Sequence, residues 1–84
     1  APISISGCVT GSIVKFSRSD TGVVLYSALA VGGVVTYAAN EYLGEVNIEV
    51  RKASGTPYYI PYVTQVLPVS GQTTSATALQ QLDE

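Results

Sequence analysis

The sequence predicts an all-β chain folded as a single small antiparallel β-sandwich of about seven strands. Two observations carry that expectation. Residues 45–52 alternate polar and apolar without a fault: Val46, Ile48 and Val50 point one way, and Glu45, Asn47, Glu49 and Arg51 the other. Period two, with β-branched residues at the inward positions, marks a strand with one buried and one wet face. Turn residues then recur along the chain at roughly ten-residue spacing, as short strands joined by tight connections require. With 84 residues the chain makes one domain, spanning 1–84.

Residues 45–52 are expected at the centre of a sheet, and the other elements follow in order. Residues 1–8 read as the first strand, with Ile3 and Ile5 alternating with Ser4 and Ser6, and Pro2 suited to a strand start or an edge. Gly7 and Gly11 bracket a bend. Residues 12–18 form the second strand, Val14 and Phe16 facing in, Lys15 and Ser17 facing out. Ser19-Asp20-Thr21-Gly22 is a turn, because Asp can bond its own backbone and Gly can take the left-handed conformation. Residues 23–30 are a third strand, apolar on both faces in places, a pattern that predicts cover on both sides. Gly32-Gly33 supplies a hairpin turn into a fourth strand at 34–37. After residues 45–52, a turn at Ser54-Gly55 and Pro57 ends the fifth strand. Residues 58–67 are the sixth strand, and Pro61 places it at an edge or next to a bulge. Residues 72–82 complete the set.

Composition narrows the function. Charged residues are 12% of the chain, against about 25% in typical soluble domains. Residues 53–82 carry no charge at all. A small domain has much surface to cover and normally covers it with Lys and Glu. This surface therefore reads either as that of a monomer with an uncharged, Thr-rich coat, as some exported proteins have, or, the favoured reading, as one met by other subunits. Lys15, Arg18, Arg51 and Lys52 are the only bases and the net charge is −2. That argues against nucleic acid, which needs a basic track. Residues 21–40 are uncharged over nearly the length of a spanning helix. Gly32-Gly33 and the Val- and Tyr-rich flanks make two strands the better reading, so no membrane span is expected. The sequence has no Met. This fits removal of a signal peptide, or of an initiator Met before Ala1, and an extracellular or cell- or virion-surface location is expected.

Catalytic chemistry finds little to work with. One Cys and no His exclude an internal disulfide and a Cys/His zinc centre. Cys8 has no imidazole to activate it and reads as a small buried residue. Glu45 and Glu49 share a strand face but stand about 13 Å apart along it, too far for a retaining pair. No enzyme activity, metal or cofactor is expected. Tyr58, Tyr59 and Tyr62 cluster around Pro57 and Pro61, a candidate stacking platform or subunit contact as well as ordinary packing. Thr73, Thr74, Ser75 and Thr77 form a hydroxyl run suited to O-linked sugars.

The pattern Gly11, Val14, Gly22, Tyr26, Gly33, Tyr37, Gly44-Glu45-Val46, Val50-Arg51-Lys52 and Tyr58-Tyr59 resembles the immunoglobulin-like or transthyretin-like sandwich modules of bacterial surface, pilus-type and phage fibre or capsid-decorating proteins. The resemblance spans most of the chain and consists of strand and turn positions. It implies structural or adhesive work and brings no catalytic residues with it. The expected function is a structural subunit of a homopolymeric, pilus-like extracellular filament assembled by β-strand addition. Residues 1–8 are the candidate exchanged or donor strand, with Ile3 and Ile5 as its plugs. The alternative is a carbohydrate- or receptor-binding module of a phage surface or bacterial adhesin, using Tyr58, Tyr59 and Tyr62. The partners expected are copies of the chain itself, with glycan under the alternative.

Overall fold

A computed structural model describes residues 1–52 and 55–83 of the chain. Its longest ladder joins β2 (Ser12–Arg18) to β5 (Val46–Lys52), antiparallel from Ser12 opposite Lys52 to Arg18 opposite Val46. Residues opposite one another share a face. Val14 therefore sits beside Val50, and Phe16 beside Ile48, on the inner side; Lys15 and Glu49 share the outer side. The five inner residues Val14, Phe16, Val46, Ile48 and Val50 are fully buried. The alternation read at 45–52 is thus the inner strand it predicts.

Two sheets stack over this core. The larger runs β3-β2-β5-β6, with β3 at Val24–Leu29 and β6 at Tyr62–Val66, and every neighbour is antiparallel. The smaller runs β4-β1-β7, with β1 at Ile3–Ser6, β4 at Val35–Tyr37 and β7 at Thr74–Thr77. Ile3 and Ile5 are fully buried and face the larger sheet, joined by Val35 and Ala78. Among the described residues the architecture is therefore the all-β sandwich of seven strands that the sequence predicts. One pair departs from the antiparallel rule: β1 and β7 run parallel, Ile3 opposite Thr74 to Ser6 opposite Thr77. Parallel neighbours cannot be joined by a hairpin, and here the first and last strands are joined by the rest of the fold.

The third strand differs from its expectation. Its apolar run predicts cover on both faces, yet β3 is an edge strand and Val24, Tyr26 and Leu29 are exposed. The turn that follows is where it was expected, with Gly32 and Gly33 both at positive φ and Val31 bridged to Val34. That bridge does not grow into a ladder. β3 stays in the larger sheet and β4 crosses to the smaller, so the two-residue turn closes one side of the sandwich. Ser17 keeps the expected outer side, opposite Asn47, yet is buried there, where the β2–β3 register shifts between Phe16 and Ser17. The sixth strand is shorter than expected. Pro61 lacks a backbone donor, and Tyr58–Ile60 leaves the sheet to pair with the tail: Ile60 N donates to Gln81 O at 2.8 Å and Asp83 N to Tyr58 O at 2.9 Å. The turn expected at Ser54-Gly55 falls partly outside the described residues.

Two polar ties hold the first strand in place. Asn40 is buried, and its Nδ2 donates to Ala1 O at 2.9 Å and to Tyr42 O at 3.0 Å, while its Oδ1 accepts from Tyr42 N. At the other end Ala78 N donates to Ser6 O at 2.7 Å. Gly7 follows at φ +73°, where a Cβ would stand 2.9 Å from Ala78 O, so only glycine fits this approach.

The packing predicts a graded response to truncation. Phe16→Ala opens a cavity between the sheets and should cost about 3–5 kcal/mol of unfolding free energy. Leu29→Ala, at an exposed edge position, should cost under about 1 kcal/mol. Urea denaturation followed by far-UV circular dichroism measures both.

Candidate functional site

The surface divides by chemistry along the lines of the fold. The outer face of the larger sheet carries an ion-pair row: Glu49 lies 3.6 Å from Lys15 Nζ and 3.5 Å from Arg51 NH2. All three are partly solvated, which makes these pairs weak. Glu45 is engaged at the end of the sheet, accepting a hydrogen bond from Ser19 Oγ at 2.8 Å. There Arg18 also meets Asp20 through both carboxylate oxygens, at 3.0 and 2.8 Å, and lies 4.5 Å over the Tyr42 ring. The Arg18 guanidinium holds the Asp20 carboxyl below its ordinary value. Its small stabilisation is present above the ordinary carboxylate range and fades as pH falls through the lowered value.

The outer face of the smaller sheet carries hydroxyls. Ser4 lies opposite Thr36 on one side and Ser75 on the other, and Ser6 opposite Thr77. Ser4 Oγ and Thr36 Oγ1 share a hydrogen bond of 3.2 Å. Within the expected hydroxyl run, Ser75 and Thr77 face out, whereas Thr74 shares the inner side with Ile3. The hydroxyl face is polar, whereas the outer face of the larger sheet is mixed, its ion-pair row flanked by exposed Ile13, Leu29 and Val63.

The two flanks are apolar. On one, β3 and β4 are bridged by a ring cluster: Tyr26 and Tyr37 stack at 4.9 Å with 6° between planes, and Phe16 packs on them at 5.9 and 5.6 Å. Val24, Leu29, Val31 and Val34 stand exposed around it. On the other flank, the approach to β6 and the tail after β7 leave an open cleft of about 340 Å³ lined by Ile60, Pro61, Tyr62, Leu79 and Gln81. Val63, Leu67, Val69 and Leu82 are exposed nearby. None of the four outer strands, β3, β4, β6 and β7, contains a charged residue.

The expected site residues are dispersed by this arrangement. Tyr58, Tyr59 and Tyr62 have different surroundings. Tyr58 is 60% exposed; Tyr59 is half-buried, 5.7 Å under Lys52 Nζ and bridged to Leu82; Tyr62 packs against the core and walls the cleft. The rings that do gather, Phe16, Tyr26 and Tyr37, come from β2, β3 and β4. Phe16 and Tyr26 are cross-strand partners, a contact readable once the second and third strands are paired. Ile3 and Ile5 fill this chain's own core from the middle of its own sheet. Among the described residues no three of His, Cys, Asp and Glu converge as metal ligands, and no helix is long and apolar enough to cross a membrane.

Cys8 is buried and unpaired with another cysteine, its Sγ directed to Ile5 O at 3.9 Å. Burial pushes its thiol pKa up. Iodoacetamide should accordingly label Cys8 far more slowly in the folded chain than in urea, by at least about tenfold, since the reactive thiolate is both scarce and shielded. Mass spectrometry of the timed reaction measures the ratio. Comparison with protein-family models, with curated proteins and with solved structures finds no match to this chain.

Proposed function

We propose that this chain is a structural subunit of a homopolymeric extracellular filament, joined by β-strand addition between sandwich protomers. The observation that carries this reading is the pair of flanks. Strand edges present unpaired N–H and C=O groups, and proteins that remain single normally guard them with Lys, Pro or strong twist. The outer strands here have no charge and no Pro within them, and large apolar side chains stand exposed beside them. A copy of the chain offers what such an edge lacks, a matching uncharged strand.

The first strand is the donor in this reading, and the fold defines what donation requires. β1 already lies between β4 and β7 of its own chain, so it can serve a neighbour only by exchange. It would leave its sheet and enter the identical place next door, with Ile3 and Ile5 buried as before. A second reading, a carbohydrate-binding module, is favoured by the cleft beside Tyr62 and by the exposed Tyr58. Under that reading Tyr62→Ala and Tyr58→Ala lose glycan binding and leave the state of association unchanged.

Light scattering and electron microscopy of the full chain test the filament reading. Association should rise with protein concentration. It should be little affected between about 0.05 and 0.5 M salt, because backbone and apolar contacts are not screened as ion pairs are. A chain that stays monomeric throughout would overturn it. For the donor role, a chain lacking residues 1–6 should be unfolded or aggregated alone and should regain β-structure with a peptide of residues 1–8. Normal assembly of the truncated chain without peptide would exclude β1 as donor.

A further inference from the structure

The two flanks are complementary in direction as well as in chemistry. β3 runs antiparallel to β2, β2 to β5 and β5 to β6. β3 and β6 therefore point in opposite directions at opposite margins of one sheet. A copy displaced sideways, without being turned over, brings its β3 alongside β6 as an antiparallel neighbour. The smaller sheet obeys the same rule. β4 is antiparallel to β1 and β1 parallel to β7, so β4 and β7 also oppose one another. β3 and β4 lie on the same flank, tied by the Tyr26–Tyr37 stack and the Val31–Val34 bridge. β6 and β7 lie on the other, tied through Tyr59–Leu82. One displacement suits both sheets.

We propose that a second copy of this chain docks its β3 edge along β6, continuing the four-stranded sheet from molecule to molecule. The side chains select a register. On β6, Val63 and Gln65 share the outer side with Glu49 and Asn47, while Tyr62, Thr64 and Val66 face in. On β3, Ser27 and Leu29 share the outer side with Lys15 and Ile13, while Tyr26 and Ala28 face in. Setting Leu29 of the next copy opposite Val63 places Ala28 against Thr64, Ser27 against Gln65 and Tyr26 against Val66. Inner meets inner and outer meets outer. The two exposed apolar residues, Leu29 at 57% and Val63 at 58%, cover each other. The register shift beyond Tyr26 bends the rest of β3 away, which confines the new ladder to those four pairs.

The flank is large enough to hold such a ladder. Strands of seven residues span about 23 Å, four strands side by side about 14 Å and two stacked sheets about 10 Å. The molecule's extents of 39, 25 and 17 Å fall in that order. A flank therefore measures at most 39 by 17 Å, which bounds the contact at about 1,300 Å² for the two surfaces together; the four-pair ladder takes about 13 Å of that length. Because the surfaces are different and lie on opposite sides, each copy leaves a free β3 and a free β6, so the contact is head-to-tail and propagates into a filament unless its rotation closes a ring.

This pairing rests on the filament reading, and a charge exchange separates the two. Leu29 and Val63 stand at opposite margins of the sheet and are exposed; because Val63 lies opposite Glu49, circular dichroism checks that each charged variant keeps the fold. Leu29→Lys alone should weaken association by at least about tenfold, by placing an unpaired charge in an apolar contact. Adding Val63→Glu to Leu29→Lys should restore most of the loss, whereas adding Val63→Lys should deepen it. Rescue by Glu and not by Lys supports the pairing. Association of the unmodified chain with equal behaviour of the Lys/Glu and Lys/Lys variants overturns the pairing and leaves the filament reading standing. Absence of association in the unmodified chain overturns both.

Discussion

The structure depends on β1 lying under the β2–β5 ladder. Val14, Phe16, Val46, Ile48 and Val50 make an apolar sheet face, and a sheet face of that kind has to be covered. Ile3 and Ile5 provide the cover, fully buried in the facing sheet. β1 is only four residues long, so its position has to be secured by other means. β4 and β7 flank it, Asn40 ties the chain ahead of it, and the Gly7 turn brings Ala78 against its end. Much of the remaining chain can be understood as holding two isoleucines in place.

A core this small leaves a surface that is large in proportion. Leaving Asn40 without partners in that core would forfeit a sizeable share of a margin that is itself only about 5–15 kcal/mol. Its carboxamide is instead met on both sides, by Ala1, Tyr42 and the Tyr42 backbone N–H. The aromatic cluster has the same economy. Phe16 alone reaches across from an inner strand, and Tyr26 and Tyr37 close over it from the two strands of one flank. Their rings exclude water where neither sheet has a further strand to offer.

Much of this was legible in the sequence where a single rule governs a residue. At 45–52 period two, branching and burial agree, and β5 emerged with its faces assigned. β2 has the bounds its pattern predicts. The third strand failed because hydrophobicity was asked to report burial. Val23, Val24, Leu25 and Leu29 are apolar, but an edge strand is covered on one margin only, and local sequence does not reveal whether a further strand stands beyond it. The same limit hid the division of strands between sheets. Gly32-Gly33 specifies a tight reversal, and a tight reversal can either start a ladder or step from one sheet to the other. The length of the sixth strand was a matter of one residue: Pro61 interrupts it, so Tyr58 and Tyr59 follow the tail while Tyr62 follows the sheet.

The placement of charge then gives the surface a direction. Lys15, Glu49 and Arg51 lie on the outer face of the two inner strands, and Arg18 and Lys52 stand at opposite ends of that pair. The opposite broad face is coated with Ser and Thr hydroxyls. Stacking copies face to face would strip water from ions on one side and hydroxyls on the other, which is costly without matched partners. At the flanks the balance reverses. Apolar side chains gain by leaving water, and unpaired edge groups gain partners when another strand arrives. A fold that places half of its ten charged residues on two inner strands and none on its four outer ones thus opposes association across the sheets and permits it along them.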